Sequence, residues 1–169
     1  MKKLIALFAA IVLVSGLTTV RAQVTANASG SATIITPISI TKTTDMNFGN
    51  VAVSASLGTV VLTPAGIRTP TGGVTLPAVT GTVAAAVFHV TGSGASTYAI
   101  TLPTTYTIND GASHTMTINA FTSTPSVTGA LTSGAQDIQV GATLNVAGAQ
   151  VAGTYTNTLT PFPVTVNYN

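Results

Sequence analysis

Residues 88–103, FHVTGSGASTYAITLP, carry the clearest structural pattern in the sequence. Phe88 and Val90 alternate with polar residues before a Gly-Ser-Gly turn, and a second apolar set alternates in the same way after it: Tyr98, Ile100 and Leu102. A period of two places alternate side chains on one face of a β-strand. The stretch therefore predicts two short strands joined by a turn.

The same alternation continues in both directions, and no apolar stripe of helical period reaches ten residues. It predicts about eight strands separated by Gly, Pro, Ser and Asn, with turns at residues 70–73 (PTGG) and at residues 108–111 (INDG), the latter closing a hairpin. The predicted fold is an all-β, immunoglobulin-like antiparallel β-sandwich. A jelly roll or small barrel is the alternative.

Residues 1–22 have the features of a cleavable signal peptide. Lys2 and Lys3 precede an apolar run of eleven residues, 4–14, which is too short to span a bilayer. Val20-Arg21-Ala22 then supplies small residues at the two positions that signal peptidase requires. We expect export through the general secretory route, no membrane span after cleavage, and one mature domain, residues 23–169.

Charge and cysteine content exclude several classes of protein. The mature chain keeps two basic residues, Lys42 and Arg68, against three aspartates, so its net charge is −1. Binding to nucleic acid has no electrostatic basis with so few cations. The sequence contains no cysteine, which excludes thiol chemistry and Cys-based metal sites.

The titratable residues predict no active site, and we expect a protein that is not an enzyme and uses no cofactor or metal. His89 is expected on the solvent side of its strand and His114 at the exposed end of a hairpin. Asp110, in an Asn-Asp-Gly turn, offers oxygen to calcium, but a single aspartate there is typical of turn chemistry. All three aspartates are expected to be solvated, with Asp45 able to pair with Lys42. Three aromatic residues are predicted core rather than a carbohydrate platform: Phe48, Phe88 and Tyr98.

The two ends of the mature chain are candidate assembly elements. Residues 23–36 alternate strictly and carry mostly small apolar residues on one parity: Val24, Ala26, Ala28, Ala32 and Ile34. The C-terminal strand places large apolar residues on one face: Phe162, Val164, Val166 and Tyr168. Pro161 and Pro163 share a parity, so one side of its start cannot be fully paired, as at a sheet edge.

Two interpretations of residues 23–36 remain open. The segment is either the first strand of its own sandwich or a donor strand that completes the sheet of a neighbouring copy.

The sequence resembles a family of secreted bacterial proteins, the domain of unknown function 4402. The resemblance rests on four stretches that together cover nearly the whole mature chain: ATIITPISITKTTDMNFGNV (32–51), RTPTGGVTL (68–76), FHVTGSGASTYAITLP (88–103) and VGATLNVAGAQVAGTYTNTLTPFPVTVNY (140–168). The family is distantly similar to spore coat protein U and to archaic chaperone–usher pilins. That likeness implies a sandwich fold and surface assembly, although the cysteine pair of many such pilins is missing here.

The sequence thus predicts a secreted or cell-surface structural protein, in its sharper form a fimbria-like subunit that assembles by strand complementation. Its predicted partners are copies of itself and a periplasmic chaperone. The alternative is a self-contained secreted module that binds carbohydrate or a host protein.

The first testable prediction concerns processing. Because cleavage is expected after Ala22, the exported protein should begin at Gln23, and intact-mass spectrometry of secreted material measures this directly. Secreted protein that retains Met1 would contradict the prediction.

Overall fold

A computed structural model describes residues 22–157 and 159–169 of the chain. Every regular element in this part is a β-strand, which confirms the predicted all-β class. Residues 35–169 form one compact unit, and residues up to Ile34 belong to a separate unit. Apart from Ala22, the predicted signal peptide lies outside the described residues.

The described residues contain twelve strands rather than about eight. They are β1 (Ser39–Thr44), β2 (Asn47–Phe48), β3 (Ala52–Leu62), β4 (Arg68–Thr75), β5 (Val83–Ala84), β6 (Ala86–Thr91), β7 (Thr97–Thr101), β8 (Thr105–Asn109), β9 (Thr115–Thr124), β10 (Thr128–Ala130), β11 (Ala135–Val146) and β12 (Thr165–Tyr168). The predicted hairpin at residues 108–111 is present and joins β8 to β9.

The strands form two main sheets in which every pairing is antiparallel. The large sheet has the order β1-β6-β11-β3-β4, with β9 and then β8 on the other side of β11. The small sheet has the order β10-β7-β12, and β2 pairs with β5 separately. On one side of β11, residues 135–140 pair with β6 and residues 142–146 with β3, and the large sheet is curled.

Two clusters of buried side chains fill the sandwich. The first joins the large sheet to the small one and consists of Ala86, Phe88, Val90, Tyr98, Ile100, Leu131, Ile138, Val140 and Val166. The second lies under the other half of the large sheet and consists of Phe48, Val60, Leu62, Val74, Ile118, Ala142, Leu144 and Val146. The three aromatic residues predicted as core are therefore buried. The Tyr98 hydroxyl satisfies its hydrogen bond by donating to Gln136 Oε1 at 2.7 Å.

The turn predicted at residues 70–73 is wrong, because these residues lie inside β4. Pro70 pairs with Val60 of β3 on an edge strand, where a missing N–H donor is tolerated. Gly72 and Gly73 lie where any side chain would collide with the backbone of residues 56–58. The glycines therefore allow close approach to the irregular part of β3 rather than a chain reversal.

A pair of substitutions tests the core face of β12. Val166 is 7% exposed within the first cluster, whereas its neighbour Thr165 is exposed. Val166→Asp buries an unpaired carboxylate and should lower the free energy of unfolding by at least about 3 kcal/mol. Thr165→Asp should change it by less than about 0.5 kcal/mol.

Urea unfolding followed by tyrosine fluorescence measures both variants, since the chain has four tyrosines and no tryptophan. Equal losses would show that the two residues do not lie on opposite faces.

Candidate functional site

The N-terminal segment, residues 23–36, contains no strand in this structure. The first strand begins at Ser39, and every residue from 22 to 37 is exposed. Val24 is 91% exposed and Ile34 is 93% exposed. The interpretation of the segment as the first strand of its own sandwich therefore disagrees with the structure. The alternating apolar residues at 24, 26, 28, 32 and 34 are all solvent-accessible.

The four C-terminal candidates, by contrast, lie together on the first core cluster. Val166 belongs to the cluster itself, and Phe162, Val164 and Tyr168 pack against it while remaining partly exposed. The Phe162 ring also contacts the rings of Phe88, Tyr106 and Phe121, with centroid distances of 6.2, 5.5 and 5.2 Å. This aromatic group anchors the chain segment that leads into β12.

β12 is an edge strand with one unpaired side. Its partner is β7, and the Asn169 N–H donates to the Thr97 oxygen at 3.3 Å. Backbone groups alternate in direction along an antiparallel strand. The N–H and C=O groups of Val166 and Tyr168 therefore point away from β7, toward the open edge.

Two prolines, Pro161 and Pro163, lie just before β12 in a stretch that forms no strand. Neither has an N–H to donate to a ladder, and the pairing with β7 begins at Thr165. The sequence correctly predicted an edge strand at this end of the chain.

β1 is the corresponding edge of the large sheet. The Gly92 N–H donates to the carbonyl oxygen just ahead of β11 at 2.9 Å, so Gly92 faces β11 and His89 faces β1. His89 pairs with Thr41 of β1. The backbone groups on either side of Thr41 therefore point away from β6: those of Ile40 and Lys42.

The two edge strands approach each other at the end of β12. The Tyr168 hydroxyl donates to the Thr36 oxygen at 2.8 Å and accepts from the Ser93 N–H at 2.6 Å. These bonds tie the end of β12 to the chain entering β1.

A cavity of about 240 Å³ lies between the end of β1 and the start of the segment 161–168. Its apolar lining comes from Met46, Ala86, Phe88, Pro161 and Phe162, and it is also lined by Lys42 and Asp45, which form an ion pair. Sequence reasoning missed this cavity, because its walls come from segments at least 40 residues apart whose apolar residues look like ordinary core.

Each of the three aspartates lies beside a lysine or histidine side chain. His89 Nδ1 lies 2.7 Å from Asp137 Oδ1, and Lys42 pairs with Asp45. Within the described ranges, no three His, Cys, Asp or Glu residues come together as a metal site would require. The described residues include no helix long and apolar enough to cross a membrane.

Asp110 is less solvated than predicted. Its side chain is only 11% exposed, and its carboxylate accepts hydrogen bonds from the Ala112 and His114 N–H groups and lies 2.6 Å from His114 Nδ1. The hydrogen bond with the His114 side chain, assisted by the backbone N–H groups, lowers the pKa of Asp110 below its ordinary value of 3.8. The carboxylate thus holds the β8–β9 turn closed.

The lowered pKa predicts an acid-dependent loss of stability. A carboxyl with a depressed folded-state pKa stabilises the protein above its unfolded pKa, and this stabilisation is lost as the pH falls through the folded value. Asp110→Asn should therefore lower the melting temperature at pH 7, and the difference from wild type should shrink below about pH 4. Thermal unfolding between pH 2 and pH 7 measures this.

Asp45→Asn is the matched control, because Asp45 is 77% exposed and pairs only at the surface. A difference for Asp110→Asn that stays constant across the pH range would contradict the assignment.

Comparison with known proteins gives one match. The sequence model of a domain of unknown function, DUF4402, matches residues 38–168, which include all twelve strands. No curated protein and no solved structure matches the sequence.

Proposed function

The chain belongs to the DUF4402 family, and we propose that it is a non-enzymatic structural protein of the bacterial cell surface whose copies assemble by strand complementation. The observation that carries the proposal is the exposed segment 23–36, which alternates like a strand but contributes to no sheet. Single exposed apolar residues are ordinary on protein surfaces. Five at strand spacing, without a charged residue among them, are typical of a strand that pairs elsewhere.

The domain has free strand edges and partly exposed apolar side chains with which such a strand would pair. β1 and β12 each present unpaired backbone groups, and edges of this kind template the pairing of another chain. Ile38, Ile40, Phe162, Val164 and Tyr168 pack on the first core cluster but stay partly exposed, so an added strand would bury more of them.

Export belongs to the same proposal. The signal peptide expected at residues 1–22 directs the chain through the general secretory route to the cell surface or the medium. An unpaired edge is liable to aggregate, so a periplasmic chaperone that covers it during transit is the partner that we propose beside other copies.

One observation favours the second candidate, a self-contained binding module. A cross-strand row on the outer face of the large sheet carries only hydroxyl and amide side chains, all at least partly exposed: Thr71, Thr59, Asn145, Thr117 and Thr107. An uncharged, hydrogen-bonding surface of this kind suits a neutral partner such as a carbohydrate.

Light scattering of the exported protein separates the two functions. A strand-complemented subunit should form oligomers whose mass grows with concentration and which resist mild denaturant. Ala28→Asp places a charge on the face that carries the alternating apolar residues. It should raise the protein concentration at which half of the chains are assembled at least about tenfold. Ser29→Asp is the matched control on the polar parity and should leave assembly unchanged.

A protein that stays monomeric at every concentration would remove the polymer and leave the binding module. Equal effects of the two substitutions would show that the alternating face is not what pairs.

A further inference from the structure

We propose that the cavity beside Phe162 is a binding site for a small uncharged alcohol whose apolar body is about the size of a substituted benzene ring, such as an alkylphenol. This inference does not depend on the proposed assembly, because every residue that lines the cavity belongs to the compact unit Ile35–Asn169. A largely apolar, concave site with a few polar groups is the usual form of a small-molecule site.

The cavity results from the way in which two chain segments meet their neighbours. The pairing of β1 with β6 shifts register between Lys42 and Thr44, where β1 ends. The ladder of β12 begins at Thr165, so the chain at Pro161 lies outside any strand. The space between these two segments is therefore bounded by side chains rather than by a hydrogen-bonded ladder.

One small residue provides room at the base of this space. Ala86, Phe88 and Val90 occupy successive inward positions of β6, and all three are buried. Ala86 carries only a methyl group on the wall of the cavity. A larger side chain at this position would extend into the same space.

The wall formed by Phe162 is held in place by aromatic packing. Its ring lies 6.2, 5.5 and 5.2 Å from the ring centroids of Phe88, Tyr106 and Phe121. The first two contacts are edge-on, an arrangement that aromatic pairs favour. A wall fixed in this way is present before a ligand arrives, so little side-chain freedom is lost on binding.

The size and lining of the cavity define the apolar part of the ligand. A cavity of roughly 150 Å³ lined by aliphatic and aromatic side chains holds benzene. The volume here is about 240 Å³, which accommodates a ring with a short alkyl group. The Met46 thioether and the rings of Phe88 and Phe162 favour contact with an aromatic ring.

Lys42 and Asp45 define the polar part of the ligand. They line the cavity as an ion pair, and their side chains are 48% and 77% exposed. Their mutual hydrogen bond uses one N–H donor of the ammonium group and one carboxylate oxygen. Because the pair has no net charge, it suits an uncharged group that accepts from Lys42 and donates to Asp45, as a hydroxyl does.

The two methionines after position 22 allow the site to be located by NMR. Met46 lines the cavity, whereas Met116 packs against the second core cluster. In exported protein isotope-labelled at the methionine methyl groups, 4-ethylphenol should shift the Met46 signal saturably and leave the Met116 signal in place. The loss of one signal in Met46→Leu assigns the pair. Equal shifts of both signals, or no shift of the Met46 signal at millimolar 4-ethylphenol, would overturn the site.

Filling the cavity gives a second measurement. Ala86→Leu extends into the space that the ligand needs and should lower the affinity for 4-ethylphenol at least about tenfold. Ala130→Leu is the matched control, because Ala130 is exposed on β10 away from the lining residues, and it should leave the affinity unchanged. Equal affinities of the two variants would overturn the site, and the Met46 signal decides the matter if Ala86→Leu does not fold.

The hydroxyl group is tested at Lys42. Lys42→Leu keeps an apolar side chain on the cavity wall and removes the ammonium donor, so it should weaken the binding of 4-ethylphenol at least about threefold. The Met46 signal again reports the affinity. An affinity equal to that of the unchanged protein would overturn the recognition of an alcohol.

Discussion

The backbone hydrogen bonds of β11 are the constraint on which the rest of the domain depends. This strand pairs with β6 and β3 on one side and with β9 on the other, and it contributes buried side chains to both core clusters. A chain without disulfides and with very few ion pairs has no other link of comparable extent between the two halves. Ladder bonds and apolar burial must therefore supply its stability.

Away from β11, the strand pairing of both sheets ends in edge strands. β11 is paired on both sides, whereas β1, β4 and β8 of the large sheet and β10 and β12 of the small sheet each keep one free side. The exposed N-terminal segment has the length and alternation of a strand, and the proposed strand complementation would add it to an edge of this kind. Sheet edges in a monomeric protein are usually blunted by charge or by bulges. The β1 edge carries one charged residue, Lys42, which pairs with Asp45, and its pairing with β6 is irregular between Lys42 and Thr44.

The sequence predicted the fold class and most of the core, because side-chain alternation is a local property. The burial of Phe88, Tyr98 and Val166 followed directly from the alternation of apolar and polar residues along their strands. Local sequence patterns gave a wrong prediction where the residues are explained by packing against a distant part of the chain. The glycines of β4 were taken for a turn, although they are needed for close approach to β3. The cavity beside Phe162 could not be predicted, since it depends on which segments meet in space. Asp110 was expected to be solvated, although its carboxylate is bonded within its own turn, to Ala112 and His114.

Lys42 and Arg68 are the two basic residues between positions 22 and 169, and their place in the fold has a consequence for proteolysis. Digestive proteases of the trypsin type cut after Lys or Arg, and Lys42 and Arg68 both lie within strands of the large sheet. The Arg68 guanidinium donates to the Phe48 and Asn50 carbonyl oxygens at 2.6 and 2.9 Å. Cleavage needs several residues to leave the sheet together, so such proteases reach the domain only when it opens locally. The domain should therefore resist proteases of this type for as long as β1 and β4 stay paired.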